Sequence, residues 1–202
     1  MAITKFSNST LKTPNRYNDF LAGNSPYDPG GYWPIASAAG TGSSGTITLS
    51  SIPGTYKHLQ VRYSVRCDGV STSNAQLRLG LNGDTANNYT YHYLQGDGST
   101  VSALGGTAQG FATQYQASPG GGTTASTMGV GIIDILDYSS SSKNKTIRVF
   151  SGVDFNNAYT GYATSSSNLW LSTAAITQMT FTLSFGNFTT ASSIELYGIK
   201  EF

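Results

Sequence analysis

HLQVRYSVRC, residues His58–Cys67, alternates apolar and polar side chains through most of its length. Leu59, Val61, Tyr63 and Val65 fall on one face, and Gln60, Arg62, Ser64 and Arg66 on the other. A two-residue period marks a β-strand with one face in the core and one in water, because successive side chains point to opposite sides. Such half-exposed strands belong to antiparallel sheets. The pattern recurs outward along the chain. Leu77, Leu79 and Leu81 alternate with Arg78 and Gly80, and Met179, Phe181, Leu183 and Phe185 alternate with Thr180, Thr182 and Ser184. GIIDILDY, residues 131–138, is instead almost continuously apolar, which predicts a central strand covered on both sides.

Ten short β-like runs separated by turn residues, the shortest of them not counted as a full strand, predict about nine strands. The runs are Thr46–Ser50, His58–Cys67, Ala75–Leu81, Tyr89–Gln95, Gly110–Gln116, Met128–Leu136, Thr146–Asp154, Leu169–Ser172, Gln178–Phe185 and Ser193–Lys200. No long helical pattern lies between them, so crossover helices and a parallel sheet are not expected. The reading is an all-β, antiparallel, jelly-roll-like β-sandwich over residues 46–202, preceded by an extended N-terminal arm and flexible joint over residues 1–45.

Composition agrees. Ser, Thr, Asn and Gly supply 89 of the 202 residues and only 10% are charged, so the surface is polar but uncharged. Aromatics make up 12%, which sets the chain apart from disordered polar sequences. Net charge is +1 with no block of like charge, so the field that attracts nucleic acid is missing. No apolar run reaches the roughly 18 residues of a membrane helix, and the N-terminus has no apolar export core. A single cysteine, Cys67, excludes an intrachain disulfide and a thiolate metal cluster. By parity it shares the apolar face of its strand, as a small buried hydrophobe does.

The stretch from Lys12 to Pro34 holds four of the six prolines and the rings of Tyr17, Phe20, Tyr27, Tyr32 and Trp33, with no regular period. Such rings need a surface to lie on, either their own domain or a neighbouring subunit; the second makes these five the docking residues.

Asn82–Gly98, NGDTANNYTYHYLQGDG, carries the most concentrated set of candidate ligand groups. Tyr89, Tyr91 and Tyr93 are candidate glycan contacts, since ring faces stack on sugars. Asp68, Asp84 and Asp97 are hard oxygen donors, but their spacing fits no calcium loop, and turn-forming roles account for them as well. No metal or other cofactor is expected. The two histidines, His58 and His92, have no nucleophile elbow to serve. Asp134, alone within an apolar run, is expected to pair with Arg148 in the core. No catalytic residue is assigned, and the chain is read as non-enzymatic.

The blocks SIPGTYKHLQVRYSVR, LNGDTANNYTYHYLQGDG, GVGIIDILDYSSSSKNKTIRVFSG and IELYGIKEF resemble a β-rich module of structural proteins in tailed bacteriophages, notably phages of cyanobacteria and other marine bacteria. The resemblance runs from Ser51 to Phe202. It implies a virion component, made in the host cytoplasm, acting as a capsid decoration, tail adaptor or fibre-tip subunit. It further implies other capsid or tail proteins as partners, a homotrimeric assembly by analogy, and no catalytic or metal residues. The rival reading is a carbohydrate-binding module that recognises host-surface glycan.

Overall fold

A computed structural model describes residues 31–69, 74–155 and 161–200. Twelve strands and no helix are present among them. They are β1 Tyr32–Ala39, β2 Thr46–Leu49, β3 His58–Val65, β4 Ala75–Leu81, β5 Tyr89–Gly96, β6 Val101–Gln109, β7 Ala112–Ser118, β8 Gly129–Leu136, β9 Lys145–Val153, β10 Tyr162–Trp170, β11 Met179–Leu183 and β12 Ser193–Ile199.

The strands form two sheets, one of eight in the order β1-β12-β3-β8-β9-β10-β5-β6 and one of four in the order β2-β11-β4-β7. From β2 onward the chain alternates between them, with β5 and β6 staying together in the large sheet and β8, β9 and β10 forming a meander there. Count that meander as one strand and set β12 aside, and eight units remain. Their path between sheets is that of a double Greek-key jelly roll. The three-strand meander, with β1 and β12 beyond β3, widens one sheet to twice the other.

Alternation places the core as the sequence predicts. Leu59, Val61 and Val65 of β3, Leu77, Leu79 and Leu81 of β4, and Met179 and Phe181 of β11 are fully buried between the sheets. Each such side chain contributes about 1.5–3 kcal/mol relative to exposure. Cys67 is also fully buried, and burial pushes its thiol up, away from the reactive thiolate.

Four expectations change. Residues 32–39, assigned above to the arm and joint, form β1. Strand β6 was missed: VSALGGTAQ has two central glycines and little alternation. Strand β10 begins at Tyr162, where Leu169–Ser172 was expected, because the serine run Ser165–Ser167 carries weak strand propensity. Finally, β8 is central but covered on one face only. Ile133 and Ile135 are buried, while Val130, Ile132 and Leu136 are 50%, 40% and 58% exposed.

That open face changes the meaning of Asp134. Arg148 does pair with it across the β8–β9 register, with Nη2 donating to Oδ2 at 2.6 Å, but the Arg148 side chain is 76% exposed. The pair lies on the surface and is not in the core. Solvent screening limits it, so Arg148→Ala should cost about 1 kcal/mol or less, read from chemical denaturation. A loss several times larger would show that the guanidinium bears structural load.

Candidate functional site

The outer face of the large sheet carries a row of polar side chains that crosses several strands in register. His92 of β5 lies opposite Ser167 of β10, and Ser167 opposite Arg148 of β9. Arg148 lies opposite Asp134 of β8, and Asp134 opposite Gln60 of β3. Directly opposed residues share a face, so five side chains from five strands stand side by side about 4.8 Å apart. Hydrogen bonds tie one end together. Gln60 Nε2 donates to Asp134 Oδ1 at 2.9 Å, and Arg62 Nε donates to Gln60 Oε1 at 3.0 Å. Asp134 holds the Arg148 guanidinium even more firmly protonated than usual, through its hydrogen bond and its charge.

A groove of about 600 Å³ runs over this row, lined by His92, Leu94, Asp134, Leu136, Arg148 and Ser167 among others. Leu94 and Leu136, 54% and 58% exposed, give it aliphatic flanks. The face thus offers both donors and acceptors between apolar shoulders.

The tyrosines of β5 point the other way. Tyr89 is fully buried and Tyr91 8% exposed, so neither presents a ring to a ligand; only Tyr93 is half-exposed. Tyr89 stacks on Trp170 at 6.2 Å between ring centroids, and Tyr91 on Tyr93 at 6.3 Å. The Tyr89 hydroxyl accepts a bond from the Leu81 N–H at 2.9 Å, and burial pushes its pKa up to about 12. Across the β5–β6 pair the Tyr91 ring covers Gly106, where a Cβ would come within 2.7 Å of the ring. These rings hold the hairpin; the expected sugar platform of three tyrosines is not formed. Parity decided this: Tyr89, Tyr91 and Tyr93 share the inward face and leave His92 and Leu94 outside.

The three aspartates are each engaged in hydrogen bonds, Asp97 within its own turn and Asp68 and Asp84 also to distant segments. Asp68 accepts from the Asn187 N–H at 2.6 Å and from its side-chain amide at 3.0 Å. Asp97 accepts from the Thr100 and Ser99 N–H groups at 2.6 and 2.9 Å. Asp84 Oδ2 accepts from Trp170 Nε1 at 2.7 Å and Asn88 Nδ2 at 3.0 Å, while Oδ1 accepts from the Ala86 N–H. These bonds stabilise the ionised form, and all three carboxyls lie below their ordinary pKa. No three His, Cys, Asp or Glu side chains converge as a metal site among the described residues. Of the expected docking residues, Tyr32 and Trp33 open β1, with Tyr32 42% exposed; Tyr17, Phe20 and Tyr27 lie outside the described residues.

Sequence reasoning passed over Ser167, Leu94, Leu136 and His92 as members of one site. Their signal was available in the alternation of β5 and β8, but joining them needs the β8-β9-β10-β5 register.

The Asp84 network generates a pH test. Its lowered pKa means that its contribution to stability is present above the unfolded carboxylate value of about 3.9 and is lost as pH falls through the lower folded value. Asp84→Asn cannot accept from Trp170, Asn88 and Ala86 together. It should cost about 1–3 kcal/mol at neutral pH, and the gap in melting temperature to wild type should close below about pH 4. A gap that stays constant with pH would refute the charge-assisted role. Compared with known proteins, the chain matches no family model, no curated protein and no solved structure.

Proposed function

We propose that the chain is a non-enzymatic structural subunit of a phage virion, which assembles with copies of itself and docks on capsid or tail proteins through its N-terminal arm. The observation that carries the reading is that, among the described residues, the β6 edge of the large sheet pairs with no further strand. An unpaired strand edge is a template for another chain, and proteins blunt such edges with prolines, charges, short strands or side-chain cover. Three of the four sheet edges carry such a device. β1 contains Pro34, β2 is four residues long, and the Thr113 N–H of β7 is capped by Asn168 Oδ1 at 3.1 Å. Strand β6 has none. Its nine residues include no charge and no proline, and Val101 and Leu104 are 73% and 53% exposed. An edge left open in this way fits a subunit that pairs in an assembly.

Two further considerations enter the reading. The aspartates nearest to plausible chemistry are spent on anchoring turns, as the bonds of Asp68, Asp84 and Asp97 show. The resemblance of residues 51–202 to phage structural modules supplies the setting.

Leu104→Lys places a charge on the open edge without disturbing the core. Wild-type protein should sediment as a multimer and Leu104→Lys as a smaller species; a wild-type monomer at about 100 µM would remove the self-assembly claim. Because β1 belongs to the sheet, the arm truncation that leaves the fold intact starts at Gly31. That chain should melt like wild type yet fail to appear in purified particles. Full incorporation of the truncated chain would overturn docking by the arm.

A further inference from the structure

We propose that the groove on the outer face of the large sheet binds a neutral, polyhydroxylated ligand, a linear glycan laid across the strands. This does not depend on the virion reading. Three features of the groove lead to it.

The first is its mix of chemistries. A pyranose ring presents hydroxyls at its rim, each both donor and acceptor, and C–H groups on its faces. The groove presents the matching set. Arg148 supplies donors, Asp134 has acceptor capacity beyond its bonds to Arg148 and Gln60, and the hydroxyl of Ser167 does both. Leu94 and Leu136 offer the apolar surface on either side. The aliphatic flanks replace the aromatic platform that the inward-facing tyrosines do not supply.

The second is charge. Arg148 and Asp134 neutralise each other at 2.6 Å, so a phosphate or carboxylate entering the groove meets no unmatched cation. A neutral ligand suffers no such penalty. A hydrophobic helix or lipid tail, in turn, would leave the exposed ion pair without water.

The third is direction. Polar groups come one per strand, at right angles to the chain, from β5 through β10 and β9 to β8. Three strand spacings make about 14 Å, the scale of a short oligosaccharide and not of one compact metabolite. The volume of about 600 Å³ lies within the roughly 300–1,000 Å³ of small-ligand sites.

The test is affinity electrophoresis of the full chain in gels containing laminarin, dextran or galactomannan as neutral probes and alginate as the anionic one. At least one neutral polysaccharide should retard wild type. Arg148→Ala, whose side chain is exposed and whose fold is expected to survive, should weaken retardation at least tenfold. Ser167→Trp, which fills the groove, should do the same, and Thr48→Ala on the small sheet should change nothing. Melting curves accompany each variant, and Arg148→Ala alone decides the matter if Ser167→Trp does not fold. No retardation by any neutral probe, retardation by alginate only, or wild-type retardation of Arg148→Ala would each overturn the proposal.

Discussion

An eight-stranded sheet facing a four-stranded one is the constraint from which the rest of this structure follows. Every strand with a two-residue period has one apolar face to hide, and the narrow sheet can hide only part of the wide one. Strand β7 lies close to β5, β8, β9 and β10 and closes the sandwich there. Beyond it β6 has no described strand of the narrow sheet facing it, and its residues are mostly exposed. Among the described residues no layer lies over the outer face of the wide sheet, and Val130, Ile132, Leu136 and Phe150 are exposed beside Asp134 and Arg148. The open edge and the groove are both products of this mismatch in width.

Several of the few charges among the described residues act as local fasteners. Lys145 is fully buried at the start of β9, yet its ammonium donates to the carbonyls of Ser140, Lys143 and Thr173 at 2.8, 2.6 and 3.1 Å. Burial lowers its pKa, and the three carbonyls make the charge tolerable. Arg66, at the end of β3, fastens the 119–128 loop by donating to Thr123, Thr124 and Thr127. Asp137 binds Lys143 at 2.5 Å and Lys57 at 3.5 Å, joining two turns at one end of the sheet. The exposed Asp134–Arg148 pair differs from these: it fastens no turn, and its remaining bonding capacity faces solvent.

The edge and the groove are neighbours, since the groove begins at His92 and Leu94 on β5 and β6 is the next strand. Two copies paired antiparallel through β6, about a two-fold axis normal to the sheet, would carry their outer faces on the same side. Two grooves would then lie on one continuous surface. A weak glycan site gains most from such doubling, because a long polysaccharide engages both copies at once.

The sequence by itself determined the fold class and the core. The alternation in β3, β4 and β11 needed no tertiary information, because side-chain parity along a strand is a local property. It also carried the inward direction of Tyr89, Tyr91 and Tyr93, although their aromatic character drew the reading toward a binding surface. What parity cannot give is which strand lies beside which. The row from His92 through Ser167 and Arg148 to Asp134 draws on four strands whose adjacency is set by long-range pairing, and β10 was half hidden by its serines. Nor could the apolar run of β8 say whether one or two layers cover it. That depends on how many strands the opposing sheet contributes, a quantity that exists only once the two sheets have packed.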